Sequence, residues 1–474
     1  MYIYLFHMTI VVSLMTRVLL RENLSPAARL AWFMVISIFP AGGAVLYFLF
    51  GEANIGSGAF KRQKIIETVF SNSPDILGDA QAMQASIDPI YQPAFTFAAS
   101  INGFQAKMGN TAELMPDETT ARSRLIEDID NAKVSVNVLY YIWLEDNTGT
   151  DLAEAMIRAA GRGVRCRAMA DGLGSRRFIS SSLWKKMQHA GIDTAVSLPI
   201  SRPFHTVLFS RIDLRNHRKI TVIDGKISYI GSQNCADPEF TVKRKYAPWV
   251  DIMLRVEGPV VAQNQLLFAS DWMVSREEQL QSFVLSTDSE QVGFSASIIG
   301  DGPTERVGSK AQLFASLIGT ATKTLTISTP YFVPNSIVLN AIEAAAYRGV
   351  RVTMIFPERN DSWIVSAASR SFYRSILASG ASIYEYRGGL LHSKTLTIDS
   401  EVTFLGSSNM DLRSFDLNYE NDLLLQDANT SKAVEERQQQ YLQQSNKIEI
   451  AQVDGWPIYR RLWNNAIATM GPVL

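Results

Sequence analysis

The sequence predicts an α/β fold built twice within one chain and preceded by a hairpin of two membrane helices. Three observations predict it. The pattern His-x-Lys-x4-Asp-x6-Gly-Ser-x-Asn occurs twice, as His217, Lys219, Asp224, Gly231, Ser232, Asn234 and as His392, Lys394, Asp399, Gly406, Ser407, Asn409. Each copy follows a strand–helix–strand pattern. An uncharged run over residues 30–50 lies near the N-terminus. Chance is a poor explanation of six identities at six equal offsets in a chain with five His.

Taken in order, residues 30–50 meet the roughly 20 apolar residues that a membrane-spanning helix needs. Pro40 and Gly42-Gly43 inside the run are tolerated in lipid when neighbouring groups satisfy the freed backbone. Residues 2–16 are also uncharged and extend to Leu20 if Arg17 snorkels. A buried core helix and a cleavable signal peptide are the competing readings, and the second lacks a basic start and a small-residue cleavage site. Arg21, Glu22, Ser25 and Pro26 form a polar link, so the two segments read as a hairpin. Its orientation is not set by charge. Arg17, Arg21 and Arg29 draw the link toward the cytoplasm, while Lys61, Arg62 and Lys64 draw the downstream part there.

The soluble part reads as a duplication over 131–234 and 321–409. Each half opens on a β-rich stretch, 134–142 and 324–328. Leu152, Met156 and Ala160 then mark one helix face, and Val338, Ala341, Ile342 and Ala345 mark its counterpart. Thr150 or Asp151 is the expected cap of the first helix, and Asn335 or Ser336 of the second. Both helices end on Arg-Gly-Val, at Gly163 and Gly349, where a C-terminal cap needs positive φ. Strands over 164–170 and 350–356 complete two βαβ units with parallel strands. Asp224-Gly225 and Asp399-Ser400 then turn two hairpins. Gly163 lies 54 residues before His217 and Gly349 lies 43 before His392, so the first half carries an insertion, expected over 200–211, which is apolar enough to lie against lipid.

Composition narrows the function. Charged residues are 19% against 47% hydrophobic, which fits a membrane contribution. A net charge of -1 offers no basic field for nucleic acid. Cys166 and Cys235 stand outside metal-ligand spacing and read as buried and inert in a reducing compartment.

The paired motif carries the chemistry. A phosphodiester must be neutralised, attacked at phosphorus, and its leaving alcohol protonated. One neutral His can attack and form a phosphohistidine. The other, protonated, can supply the proton. Lys219 and Lys394, with Ser232, Asn234, Ser407 and Asn409, can hold the non-bridging oxygens. No metal or other cofactor is required. The catalytic set is therefore His217, Lys219, Asp224, His392, Lys394 and Asp399, although the hairpin-tip place of Asp224 and Asp399 favours a structural role. Asp251 and Glu420, 34 and 28 residues after the two His, are better placed to orient them. His7, His189 and His205 have no repeat partner and read as structural or surface, with His205 also a substrate-channel candidate.

His217-Arg218-Lys219-Ile220 to Asp224-Gly225 and Leu391-His392-Ser393-Lys394 to Asp399 resemble the paired HKD motifs of the phospholipase D superfamily. Asn216-His217-Arg218, Thr329-Pro330-Tyr331-Phe332, Asn409-Met410-Asp411-Leu412-Arg413 and Asn418-Tyr419-Glu420 resemble the bacterial cardiolipin synthases, as does the N-terminal hairpin. The likeness covers nearly the whole chain. It implies duplicated phospholipase D-like domains, each half a mixed sheet flanked by helices, related by a pseudo-twofold. The anchor would be 1–52, the first half 53–290 with its motif at 215–238, and the second 291–474 with its motif at 390–415. It implies transfer of a phosphatidyl group between two phosphatidylglycerol molecules, with His217 as nucleophile and His392 as general acid. It also implies a multi-pass protein of the bacterial inner membrane whose catalytic part faces the cytoplasm, with phosphatidylglycerol and membrane lipids as partners. Two features stand apart. Asn137 occupies a place where relatives often carry a charge, which would alter head-group choice. Lys243-Arg244-Lys245 reads as a solvated face or an anionic-lipid contact. A hydrolase or nuclease of the same fold, a transferase using phosphatidylethanolamine or making phosphatidylserine, and a non-catalytic scaffold are the alternatives.

Overall fold

The computed structural model describes residues 2–21, 24, 26–47, 51, 56–199, 214–285 and 292–469. The predicted insertion at 200–211, with His205, lies outside them, as does the side chain of His7.

At the N-terminus, helices span Tyr2–Leu19, Pro26–Ile38 and Pro40–Leu46. The expected continuous helix over 30–50 is interrupted. Phe39 leaves helical geometry at φ -129° and ψ 71°, immediately before Pro40, as the clash of a proline ring with its preceding residue dictates. Among the described residues no helix is long and apolar enough to cross a membrane. Val11, Leu14 and Val18 nevertheless pack against Trp32, Ile36 and Tyr47. A β-carbon on Gly43 would sit 2.7 Å from the Val35 carbonyl oxygen, so glycine permits this close approach.

The first half contributes β1 (Lys107–Leu114), β2 (Ser135–Tyr140), β3 (Arg165–Asp171), β4 (Asp193–Ser197), β5 (Arg215–Asn216), β6 (Lys219–Ile223), β7 (Ile227–Gly231), β8 (Trp249–Val250) and β9 (Met253–Glu257). The second contributes β10 (Phe294–Asp301), β11 (Thr324–Ser328), β12 (Phe332–Val333), β13 (Arg351–Pro357), β14 (Ser382–Tyr386), β15 (Leu390–Leu391), β16 (Thr395–Ile398), β17 (Val402–Gly406), β18 (Met410–Asp411), β19 (Asn418–Gln426) and β20 (Ser445–Ile448). One mixed sheet runs β20-β14-β13-β11-β16-β17-β19-β10-β1-β9-β7-β6-β2-β3-β4. Its seam is the antiparallel pair β1–β10. Outward from the seam the two halves repeat one order, β9-β7-β6-β2-β3-β4 against β19-β17-β16-β11-β13-β14, with β20 added at one edge.

The βαβ units form as their sequence pattern requires. β2 pairs β3 and β11 pairs β13 in parallel. Gly163 and Gly349 take φ of 86° and 90° just past the intervening helices. Asn335 caps the second helix, Ser336–Tyr347. The first, Asn147–Gly161, starts earlier than expected, because the Asp146 carboxylate accepts the Gly149 amide. The Asp237 carboxylate adds acceptors for the Asn147 and Thr148 amides at the same end.

Among the described residues the three largest apolar clusters form the cores of this sheet. One lies within each half, around Val136, Met156 and Trp184 and around Ile342, Met354 and Phe356. The third joins the halves. There the helix Val260–Ser275 brings Leu266, Phe268 and Trp272 against Ile298, Leu405 and Leu423. That helix is buried on every side. Most of its polar groups are partnered, as burial demands: Gln263 accepts the Ile298 amide, Asn264 donates to Ser228, and Asp271 accepts from Arg218, while Asn264 Oδ1 and Gln265 Nε2 have no partner among the described residues.

One sequence expectation is corrected in this core. Asn137 does not face a head-group. It is fully buried, donating to Gln265 and accepting from Arg167, whose guanidinium pairs with Glu278. The basic run 243–245 lies outside this core and is exposed, as a solvated face would be, with Lys243 also pairing with Asp361 of the second half at 2.5 Å. Cys166 and Cys235 are free and buried, and burial pushes the Cys166 thiol up to about 12.

Candidate active site

Both motifs begin where the two halves exchange short strands. β5, just before His217, pairs in parallel with the start of β19. β15, just before His392, pairs in parallel with β8. The His217 amide donates to the Tyr419 carbonyl at 2.9 Å, and the His392 amide to the Val250 carbonyl at 2.8 Å. Each exchange delivers a carboxylate from the opposite half. His217 Nδ1 lies 2.8 Å from Glu420 Oε2 and 3.1 Å from Oε1. His392 Nδ1 lies 2.6 Å from Asp251 Oδ1.

The serines of the motifs hold these carboxylates. Ser232 Oγ donates to Asp251 at 2.5 Å and accepts the Ile252 amide. Ser407 Oγ donates to Glu420 at 2.5 Å and accepts the Asn421 amide. The lysines sit beside the histidines, two along the strand and therefore on the same face. Lys219 Nζ donates to the His217 carbonyl at 2.7 Å, and Lys394 Nζ to the His392 carbonyl at 2.6 Å. Asn234 accepts the Ile142 amide at 3.3 Å, and the Asn409 amide donates to Ser414. Asn409 Oδ1 is buried with no hydrogen-bond partner among the described residues.

Electrostatics follow from this burial. Desolvation pushes His217 down to about 4, helped by the charges of Lys219 and Lys394 and opposed by Glu420. Desolvation also lowers His392, against Asp251. Burial raises Glu420 and Asp251, but their His and Lys neighbours and the serine hydroxyls more than offset it and bring each to about 2. A neutral imidazole that donates Nδ1–H to an ionised carboxylate leaves Nε2 as a free lone pair. Desolvation lowers Lys219 to about 7, with Lys394 adding to the shift and Glu420 opposing it, and lowers Lys394 to about 8 against Asp251 and Glu420. Each histidine feels the other half's lysine, so the four side chains form one site.

Asp224 and Asp399 do not join it, which corrects their place in the catalytic set. They occupy the hairpin tips at φ 53° and 55°. Asp224 accepts the amides of Lys133, Val134 and Ser135 at 2.7–2.8 Å. Asp399 accepts those of Thr322, Lys323 and Thr324 at the same distances. Seven residues of extended chain, about 20 Å, separate each from its histidine.

The motif also leaves out two ring neighbours. Tyr141 meets His217 edge-on at 4.9 Å, while Trp249 lies tilted over His392 at 4.5 Å. Tyr141 follows β2, which pairs with β6 in the same half, while Trp249 forms β8 and meets His392 through the exchange between halves, for which no local pattern exists. His189 is exposed. A cavity of about 490 Å³ opens elsewhere, between helix Gly56–Ser71 and residues 278–285, and none of the motif residues line it.

The duplicated sheet with one shared His–Lys site defines a phospholipase D-like protein. Its fold is like that of a phosphatidylserine synthase from Haemophilus influenzae Rd KW20, at TM-score 0.58 and 15% identity, covering 77% of this chain and 95% of that one. The family model described as cardiolipin synthase, PLD-like domain, matches residues 125–272 and 314–442, and a phospholipase D-nuclease N-terminal model matches 10–52. Cardiolipin synthase A of Wigglesworthia glossinidia brevipalpis is 32% identical over 97% of this chain and 93% of its own length. Cardiolipin synthase A of Edwardsiella ictaluri is 31% identical over 98% and 96%. The chain belongs to the cardiolipin synthase family of phospholipase D-like proteins.

Proposed function

We propose that the chain is a cardiolipin synthase working by double displacement. His217 Nε2 attacks the phosphorus of one phosphatidylglycerol, and the bond from phosphorus to the glycerol oxygen breaks. His392 gives that oxygen its proton, releasing glycerol. A hydroxyl of the second phosphatidylglycerol then returns a proton to His392 and attacks phosphorus. The bond to His217 breaks, and cardiolipin leaves. Lys219 and Lys394, with Asn234 and Asn409, hold the non-bridging oxygens. Ser232 and Ser407 fix Asp251 and Glu420, which in turn hold the two rings.

The observation that carries this reading is the crossed pairing of two buried histidines with carboxylates of the opposite half. It supplies two rings of one tautomer facing one site, in a chain alike to cardiolipin synthases over its full length. The role assignment draws on the surroundings. Glu420 divides its charge among His217, Ser407, Ser414 and Asn418. The buried Arg218 guanidinium donates to the Glu420 carbonyl. Both favour a neutral, nucleophilic His217. Trp249 presents its ring to His392, which favours an imidazolium there.

We further propose that residues 1–52 form a membrane hairpin, with 53–290 and 291–474 as the two halves, in a bacterial inner membrane with the catalytic part in the cytoplasm. The paired N-terminal helices support it: they leave Met8, Val12, Met34, Ile38 and Phe39 exposed, an outward apolar face that suits lipid. Impermeant thiol labelling of Cys introduced near residues 24 and 64, in spheroplasts and in lysed cells, tests the topology. Position 24 should label in intact spheroplasts and position 64 only after lysis; labelling of position 64 in intact spheroplasts would exclude it.

The activity is tested with the protein in phosphatidylglycerol vesicles, following products by mass spectrometry. Cardiolipin and glycerol in equal amounts are expected. Phosphatidic acid without cardiolipin would make the chain a hydrolase.

A further inference from the structure

The helix Ile458–Thr469 carries its apolar stripe on the wrong side for a core helix. Ile467 and Asn464 face inward and are buried, with Ile467 packing on Ala367 and Ala368 of helix Trp363–Ser371. Outward, Ile458 is 75% exposed, Tyr459 73%, Leu462 64% and Trp463 51%. Trp363, 60% exposed, stacks on Trp463 at 5.7 Å with an interplanar angle of 17°. Scattered apolar side chains on a surface are ordinary, but five large ones in one contiguous stripe mark a contact surface.

Charge and composition identify the occupant. Arg460 and Arg461 flank the stripe on the same helix, and no Asp or Glu occurs from 455 to 469. Trp, Tyr and Arg beside aliphatic side chains is the composition of helices that lie in the headgroup region of an anionic bilayer. A second copy of this face is a poor alternative. It would set Arg460 and Arg461 of both copies together, and one short helix falls well below the roughly 1,600 Å² of a standard interface. Location agrees with lipid. Trp363 follows Asp361 by two residues, and Asp361 accepts from Tyr331 Oη at 2.6 Å and from Lys243. The Asp361 charge is also felt at Lys394.

We propose that Ile458, Tyr459, Leu462, Trp463 and Trp363 form an interfacial docking surface that seats the catalytic body on an anionic bilayer beside the site. This rests on the reading of the substrate as a membrane phospholipid, and it is separate from the N-terminal hairpin. Docking of this kind presents a lipid headgroup to the histidines without extracting its acyl chains from the membrane.

The experiment uses the full chain in phosphatidylglycerol vesicles with an environment-sensitive fluorophore on Leu462→Cys. Cys166 and Cys235 are buried and do not compete for the label. A parallel Lys185→Cys label on the exposed face of helix Ser182–His189 is the reference. The expected result is a blue-shifted label at position 462 that is quenched by brominated phosphatidylglycerol, with position 185 unaffected. A label at 462 that stays water-exposed, or shifts only with protein concentration, overturns the proposal. The paired substitution Leu462→Ser with Trp463→Ser should slow turnover of vesicle lipid about fivefold or more, with turnover of detergent-dispersed lipid unchanged. Equal loss in both forms would make the stripe a structural part of the fold and end the proposal. A parent protein that makes no cardiolipin in either form would defeat the functional reading, while the label at 462 would still report on docking.

Discussion

The first and second half-sites share a His, a Lys, a Ser and an Asn at equal offsets, yet their surroundings differ in three places. His217 is held by Glu420 and His392 by the shorter Asp251. Between His and Lys the first motif carries Arg218, buried and paired with Asp271 at 2.7 Å, where the second carries Ser393. The first ring meets the edge of Tyr141, the second the tilted indole of Trp249. A duplicated site starts with two interchangeable histidines. Division of labour requires that their proton affinities part, and these neighbours supply the means. Glu420 spreads its charge over Ser407, Ser414 and Asn418 as well as His217, while the Trp249 ring lies against His392.

The largest break of the comparison is removal of a ring. His217→Ala and His392→Ala should each lower turnover by about 10⁴-fold or more, with the double variant hardly worse, because residues acting as one unit are not additive. Near-normal turnover in either variant would end the paired-histidine account.

The crossed carboxylates come next. Glu420→Gln and Asp251→Asn should each cost about 10²–10⁴-fold, through the wrong tautomer and lost orientation. The crossing itself is checked by double-mutant cycles read in thermal stability, where the two half-sites are not bound into one catalytic unit. Asp251→Asn should add little in a His392→Ala background but its full cost in a form impaired only at Glu420. Coupling of Asp251 to His217 instead would place the carboxylate with its own half and contradict the structure.

These carboxylates also mark how much the sequence revealed. The βαβ units, the hairpins and the repeat were legible because each rests on local periodicity and on turn residues that need positive φ. Asp251 and Glu420 stood out as candidate orienters, but which ring each serves did not. That depends on β5 meeting β19 and β15 meeting β8, contacts made across about 200 and 140 residues, for which no local pattern exists. Asp224 and Asp399 were harder to place, since their fixed offset joins them to the catalytic residues in sequence while a strand's length separates them in space. Asn137 misled for a related reason: a polar residue in a β-stretch reads as a site residue until its partners, Gln265 and Arg167, are seen.

A smaller effect concerns the lysines. Burial lowers Lys219 to about 7 and Lys394 to about 8. Each must be charged to hold a phosphodiester, so kcat/KM should fall as pH rises through this range, in addition to the fall from loss of the His392 proton, whose affinity burial lowers. His217 must be neutral to attack, so the acid side should hold until pH approaches about 4. Lys219→Arg keeps its charge throughout and should lose the lower part of the alkaline limb, although the rate drops about tenfold through changed geometry. A limb that does not move assigns it to another group.

The smallest effect on chemistry belongs to the turn residues. Asp399→Ala removes the acceptor of three backbone amides and should destabilise the fold by about 3 kcal/mol. Turnover per folded molecule should stay within about twofold, because this carboxylate contacts no reacting group. Thermal unfolding and a rate at low temperature separate the two. A large loss of turnover at unchanged stability would return Asp399 to the catalytic set.

The division of labour between the halves is tested most directly by rapid quench of the protein with phosphatidylglycerol carrying a labelled phosphate, followed by peptide mapping under alkaline conditions that preserve phosphohistidine. The account predicts label on the peptide containing His217, retained in His392→Ala when an activated leaving group is used. Label on His392 would reverse the roles, and contradict the inference drawn from Arg218, Glu420 and Trp249.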